Sequence, residues 1–398
     1  MPVVQEMIMW KDKISAFVDD IQNQLINISD EIHANPELAF KEVRAAQLLV
    51  DELRKAGFEV EHGVAGMETA IVAVHPERSK GPIIAILGEY DALPEIGHAC
   101  GHNLIAAAAL GACLALSSIK KDLPGTLVFM GTPAEENIGG KIAMVEAGLF
   151  KDIDAAMMFH PAPGYTIVGR KGLALTEVKI EFHGKPAHAA ASPEKGINAL
   201  DAVIQTFNGI NALRQHIKST ARIHGIITHG GVKPNIVPEF AAAEFYVRAV
   251  EDDYCAELVK KLENCAQGAA SATGANLKYE VVKPSYQSRI MNNAMGEAFV
   301  KNLEALGEPI IPLPNGSGAG SSDIGNVSHV VPAIHPYITI CDNSVAGHSQ
   351  EFAVAAASKK GHAAMLTAAK ALAMTAIDLY LDSELMERVT KEFRNHPI

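Results

Sequence analysis

Residues 82–102 read PIIAILGEYDALPEIGHACGH. The run Pro82–Leu87 is continuously apolar and ends in the polar string Gly-Glu-Tyr-Asp-Ala-Leu-Pro. An apolar run of that length without alternation suits a strand buried on both faces. Two later stretches repeat the pattern: Thr126–Met130 ends in Gly-Thr-Pro-Ala-Glu-Glu, and Ala155–Phe159 ends in His-Pro. Helical segments, Leu104–Lys120 and Lys141–Phe150, lie between the runs. This alternation predicts an α/β fold with a mostly parallel sheet. Such sheets bind ligands beyond the carboxyl ends of their strands, where all three polar strings fall.

Upstream, Ile14, Phe17, Ile21, Leu25 and Ile28 recur at helical spacing and predict one amphipathic helix over 12–34. Asn35, Pro36 and Glu37 read as the cap and first turn of a second helix. Downstream, the pattern changes near residue 174. Val178, Ile180 and Phe182 alternate with Glu177, Lys179 and Glu181, the period of a sheet with one wet face. Helical spacing from Ile197 to Leu213, strands at 222–229 and 241–250, a helix at 251–271 and a strand at 276–283 complete a β-α-β-β-α-β set, the ferredoxin-like motif. The expected organisation is one domain from 1–173 and 288–398, interrupted by an inserted domain, 174–287. The closing segment predicts a strand near Ala333–Ile340 and a helix at Ala355–Tyr380.

The chain has 398 residues, 48% hydrophobic and 20% charged, a globular composition. Lys and Arg number 34 against 46 Asp and Glu, a net charge of −12, which argues against nucleic acid and anionic membrane as partners. Five cysteines without paired spacing predict a reducing compartment and no disulfide framework. The start, MPVVQEMIMWKDKISAF, does not read as a signal peptide, and the apolar stretch 104–117 is too short to span a bilayer. A cytoplasmic protein is expected.

Cys100 and His102 in GHACGHN, the pair Glu135-Glu136, His160, and His348 in Gly-His-Ser sit at predicted strand ends or in the turns after them. Singly, each has an ordinary reading: a solvated turn, a small buried thiol, a hydrogen-bonded histidine. Together they offer thiolate, imidazole and carboxylate, the donor set of divalent transition metals. Five donors exceed one tetrahedral zinc site and suit two cations ~3.5–4 Å apart. Of two adjacent carboxylates, one can ligate while the other stays free as a base. His98 is an alternative ligand. Gly316–Asp323 is a Gly-rich loop without the ending of a P-loop. It reads as a connector or as an N–H cradle for a carboxylate.

The strings GEYDALPEIGHACGHN, GTPAEEN, MMFHP, GKPAHAA, GGVKPNIVP, GSSDIGNVSHVVP and GHSQEF, in this order over nearly the whole chain, resemble the M20 metallopeptidase/amidohydrolase family. Within its M20D branch they are nearest the p-aminobenzoyl-glutamate hydrolase and M20-domain dipeptidase group. The resemblance implies that Cys100, His102, Glu136, His160 and His348 are metal ligands, with Cys100 bridging, and that Glu135 is the general base. It further implies that Asp91 orients a ligand imidazole and that His188 polarises the scissile carbonyl, often across a dimer. Asn235 and Arg248 are implied to bind the substrate's carboxylate. The inserted domain matches the family's lid and dimerisation domain. Asn103 stands where other relatives of the branch often have Asp, at a position that is not a ligand.

The expected activity is hydrolysis of an amide bond in small N-acyl or aminobenzoyl amino acids or dipeptides. Two divalent cations per subunit are expected, zinc favoured and manganese the alternative, in a homodimer or tetramer. Two competing readings are a thiol hydrolase, with Cys100 as nucleophile and His102 or His98 as base, and a non-catalytic metal- or peptide-binding module.

Overall fold

The computed structural model describes residues 2–137, 139–313 and 319–396. Among these the strands are β1 (Glu59–His62), β2 (Ile71–Val74), β3 (Ile83–Glu89), β4 (Thr126–Thr132), β5 (Ala155–Met157), β6 (His160–Pro163), β7 (Ala174–His183), β8 (Arg222–His229), β9 (Phe240–Ala249), β10 (Asn276–Val281), β11 (Ala333–Ile334) and β12 (Tyr337–Cys341). The chain groups into two compact units. One comprises 1–171, 290–319 and 326–398, the other 172–289 and 320–325. Residues 320–325, which the sequence reading leaves with the flanking segments, group with the second unit.

The first unit carries a six-stranded sheet in the order β1-β2-β4-β3-β5-β11. β3 pairs in parallel with β4 and β5, and β5 with β11, while β1 and β2 extend one edge antiparallel. The chain therefore forms the mixed α/β fold with a mostly parallel sheet that its apolar runs predict. β3 and β4 are buried along their lengths except at their first residues, as strands flanked by neighbours and covered on both faces must be. The helix His102–Ile119 is apolar all round and nearly wholly buried. It and the helix Lys359–Leu381 are long and apolar enough to cross a membrane, yet 89% and 78% of their apolar windows lie buried inside the protein. Burial in the fold, rather than the shortness read from the sequence, marks both as core helices.

Four sequence expectations change. The single helix over 12–34 is two, Pro2–Asp20 and Gln22–Ala34, broken at Ile21. No helix begins at Pro36. Instead Glu37 accepts Arg44 N–H (3.0 Å) and Ala45 N–H (2.9 Å), capping the helix Val43–Lys55 from six residues upstream, and its carbonyl accepts Ala92 N–H. The strand near 333–340 divides at His335-Pro336 into β11 and β12, the latter pairing with β6 in a separate two-stranded ladder. The helix at 355–380 divides into Gln350–Ala356 and Lys359–Leu381, the second capped by the Ser358 hydroxyl. Part of the Gly-rich loop, residues 316–318, lies outside the described residues.

The second unit is an antiparallel sheet, β10-β7-β9-β8, with the helices Ala199–Leu213 and Asp252–Thr273, in the chain order β-α-β-β-α-β. Val178, Ile180 and Phe182 of β7 join Val203, Ile210, Leu258 and Leu262 of the helices in one apolar cluster. Asn198 caps the first helix by accepting Leu200 N–H and Asp201 N–H.

Candidate metal centre

Because β3, β4 and β5 run parallel, their carboxyl ends open on one edge of the sheet. Glu89 closes β3, with Asp91 two residues on. Glu135 and Glu136 lie in the turn after β4, and His160 opens β6 just beyond β5. Cys100 and His102 flank Gly101 at the start of the helix His102–Ile119, and His348 comes from the loop after β12. Gly101 has φ +78°, and a Cβ there would stand 2.5 Å from Pro161 Cγ. Only glycine lets the Cys100 turn approach the His160-Pro161 segment this closely. Glu42 is fully buried. It accepts Phe40 N–H, the Ala134 N–H (2.9 Å) and the Thr69 hydroxyl, and so pins the turn that carries Glu135. Ala134 (φ 60°) and His348 (φ 58°) both hold left-handed backbone beside the cluster, strain of the kind that functional sites store.

The five sequence-predicted donors come together. Cys100, His102 and His160 offer ligand atoms within 4.8 Å of one another, as do Cys100, Glu136 and His348, and also His102, Glu135 and Glu136. Cys100 Sγ lies 3.4 Å from His160 Nε2, and His348 Nε2 lies 3.4 Å from Glu136 Oε1. Two ligands about 2.1 Å from one tetrahedral cation are separated by about 3.4 Å, so the residues fit the group. The buried atoms Glu89 Oε2, His102 Nε2 and Glu136 Oε1 have no hydrogen-bond partner, as acceptors awaiting a cation would be.

Two imidazoles have their tautomers set. His102 Nδ1 donates to Asp91 Oδ1 at 2.9 Å, with the Asp91 carbonyl 3.0 Å away. His160 Nδ1 donates to the Pro161 carbonyl at 2.7 Å. Both rings therefore turn Nε2 toward the cluster. Asp91 also accepts the Glu136 N–H through Oδ2 at 3.0 Å, so one carboxylate orients two candidate ligands. Without a cation, burial and then Glu136 push the Cys100 thiol well above its ordinary range. Burial opposes charge on His102, but Asp91, Cys100 and Glu89 outweigh it and raise its pKa well above the ordinary value. The cavity thus draws in positive charge, a proton when nothing else is there.

His98 stays outside the three groups. It is buried against His33, ring centroids 6.0 Å apart, and burial, with His102 and His33, lowers its pKa to about 3. Asn103 is buried too, its amide donating to Ser29 Oγ and the Ala356 carbonyl, a packing role. His188, Asn235 and Arg248 belong to the second unit. His188 Nδ1 accepts the backbone N–H groups of Ala190 (3.3 Å) and Ala191 (3.1 Å), which leaves Nε2 as the protonated donor. Ala189 N–H donates to the Asn235 carbonyl, tying the His188 loop to the Asn235 loop. Arg248, in β9, donates from Nη1 to Ser321 Oγ at 3.1 Å. Sequence reasoning misses Glu42, Glu89 and Lys141. Glu89 carries a signal, a carboxylate at the end of an apolar strand, two residues before Asp91.

The model of peptidase family M20/M25/M40 matches residues 85–371. The chain is 40% identical to the Xaa-Arg dipeptidase of Mus musculus over 409 residues, covering 98% of this chain and 93% of the relative. It is 30% identical to one of the polypeptides of the p-aminobenzoyl-glutamate hydrolase of Escherichia coli, covering 96% of this chain and 95% of that one. A solved Bacillus subtilis structure, described as a dinuclear metal binding peptidase of the M20 family, superposes with a TM-score of 0.71 at 22% identity, covering 91% of this chain and 99% of that one.

Proposed function

The chain belongs to peptidase family M20/M25/M40, and on that premise we propose that it is a dinuclear metal-dependent hydrolase of small amides bearing a free carboxylate. The observation that carries the reading is the meeting of Cys100, His102, Glu136, His160 and His348 around acceptors that lack donors. Charge supports two cations. Within the first unit Glu89, Asp91, Glu135 and Glu136 bring four carboxylates to the cluster and Lys141 offsets one of them, while Cys100, a thiol in the metal-free protein, adds a further negative charge on ligation, a set that two divalent ions would balance. The thiolate and three imidazoles favour zinc, with manganese the alternative.

When bound, such cations lower the pKa of water toward ~7 and polarise the scissile carbonyl. Glu135, buried beside Glu136, takes the proton from the attacking water and returns it to the leaving amine. Asp91 holds His102 and the Glu136 backbone in place through both steps. His188, its Nε2–H fixed by the two backbone donors on Nδ1, hydrogen-bonds the carbonyl oxygen as charge develops there. Arg248 and Asn235 take the substrate's carboxylate, a role that suits the guanidinium fork. The second unit serves as lid and as the surface of a homodimer, in line with its edge strand β8, which exposes Ile226 (64%) and Ile227 (44%). The free cysteines suit a reducing, cytoplasmic setting.

A thiol hydrolase is disfavoured, because burial and neighbouring carboxylates raise the Cys100 pKa, the wrong direction for a nucleophile. The relatives' names direct the substrate panel: dipeptides ending in arginine, aminobenzoyl-glutamate and N-acyl amino acids. Turnover of at least one of these should vanish on chelation and return with zinc or manganese. Undiminished turnover after chelation would sink the proposal and revive the thiol enzyme.

A further inference from the structure

We infer that Glu89, which is outside the five expected donors, is an additional carboxylate ligand of the centre, aimed at it by Lys141. The inference rests on the two-cation reading above. Glu89 closes β3 and is fully buried. Its Oε1 accepts from Lys141 Nζ, likewise fully buried, at the start of the helix Gly140–Glu146. Its Oε2 has no hydrogen-bond partner and lies 3.4 Å from His102 Nε2.

Three lines converge on that oxygen. First, Asp91 keeps a proton on His102 Nδ1, so His102 presents the lone pair of Nε2 on the side where Glu89 Oε2 stands. Those two atoms face each other across a gap that positive charge must fill, a proton on Nε2 in the metal-free protein or a cation in its place. Second, 3.4 Å is the separation of two ligands on one tetrahedral cation, the same spacing as His348 Nε2 to Glu136 Oε1. Third, Glu89 also offers a carboxylate oxygen within 4.8 Å of one from Glu135, so it faces the proposed base as well as the ligand. Lys141 engages Oε1, which leaves Oε2 turned toward His102 Nε2 and the cluster inside the protein. Lys141 is the positioning residue. By engaging Oε1 it fixes the rotamer that directs Oε2 and offsets the extra negative charge.

The test uses the full-length protein, stripped of metal and titrated with Co2+ against a competing chelator, with the visible absorption of cobalt as the readout. Wild type should take two Co2+ per chain. Glu89→Gln keeps the shape but weakens the oxygen as a ligand. It should bind one of the two at least tenfold more weakly and shift the cobalt absorption as that ion loses a ligand. Lys141→Met should weaken the same ion in the same direction. Glu89→Asp keeps the charge of the ion pair while withdrawing Oε2 by about one methylene, and guards against a failure to fold; it too should shift the cobalt spectrum. A purely structural ion pair would lower the melting temperature of the metal-free protein and leave cobalt untouched. If Glu89→Gln and Glu89→Asp both hold two Co2+ with affinities within twofold of wild type and unchanged spectra, the assignment is wrong. If wild type itself binds no Co2+, the two-cation reading fails instead, and the two failures are told apart by that control.

Discussion

Replacing Asp91 with Asn tests how the site is held together, because both carboxylate oxygens of Asp91 accept hydrogen bonds. Oδ1 receives His102 Nδ1–H at 2.9 Å and Oδ2 receives Glu136 N–H at 3.0 Å. An asparagine has one carbonyl oxygen and one NH2, so it can satisfy one of these donors and must set a donor against the other. If it keeps His102, the backbone of Glu136 is left with an unpaired buried N–H, at about 1–3 kcal/mol. If it keeps Glu136, the imidazole loses its anchor, although the Asp91 carbonyl, 3.0 Å from the same Nδ1, retains part of the hold. Either choice disturbs one candidate ligand. Outer partners of metal ligands are worth roughly 10- to 100-fold in affinity, about 1.4–2.7 kcal/mol, and the residual carbonyl contact places the expectation near the tenfold end. The assay is zinc affinity by chelator competition, with the metal-free melting temperature as a check on folding. Asp91→Asn should stay folded and bind at least one zinc about tenfold more weakly. An affinity within twofold of wild type would refute the claim that Asp91 positions His102 and Glu136.

Glu135→Gln should retain bound metal while turnover falls by at least ~10², the lower end of general acid–base assistance; elemental analysis beside a rate measurement checks it. Gly101→Ala puts a left-handed alanine 2.5 Å from Pro161 Cγ, so it should lower the melting temperature and weaken metal binding together, since Cys100, His102 and His160 all depend on that approach. An unshifted melting curve would contradict this. Arg248→Ala should raise KM about 10- to 100-fold for a substrate with a free carboxylate, the scale of a charged hydrogen bond, and have little effect on the same substrate capped as an amide. Equal effects on both would remove Arg248 from substrate recognition.

What the sequence makes legible follows the range of the forces involved. The apolar runs that form β3 and β4 are readable because burial on both faces demands an unbroken hydrophobic string. The β-α-β-β-α-β order of the second unit is readable because period-2 and period-3.6 patterns alternate cleanly there. The meeting of Cys100, His102, Glu136 and His160 follows from placing them beyond the carboxyl ends of β3, β4 and β5, whereas His348 comes in from the loop after β12 of the separate ladder. Residues 35–42 mislead because Pro36 and Glu37 look like a first helical turn, whereas Glu37 caps a helix that starts later. Glu42 and Lys141 are silent, and Glu89 signals only its place at a strand end, because the role of a buried carboxylate or ammonium is recognisable only from its partners. Those partners are far away in sequence: Ala134 for Glu42, Lys141 for Glu89.

The most direct test is anomalous diffraction from crystals of the zinc-loaded protein. The account predicts two peaks about 3.5–4 Å apart, ringed by Cys100, His102, Glu136, His160 and His348. A single peak, or peaks lying away from these five residues, would contradict it.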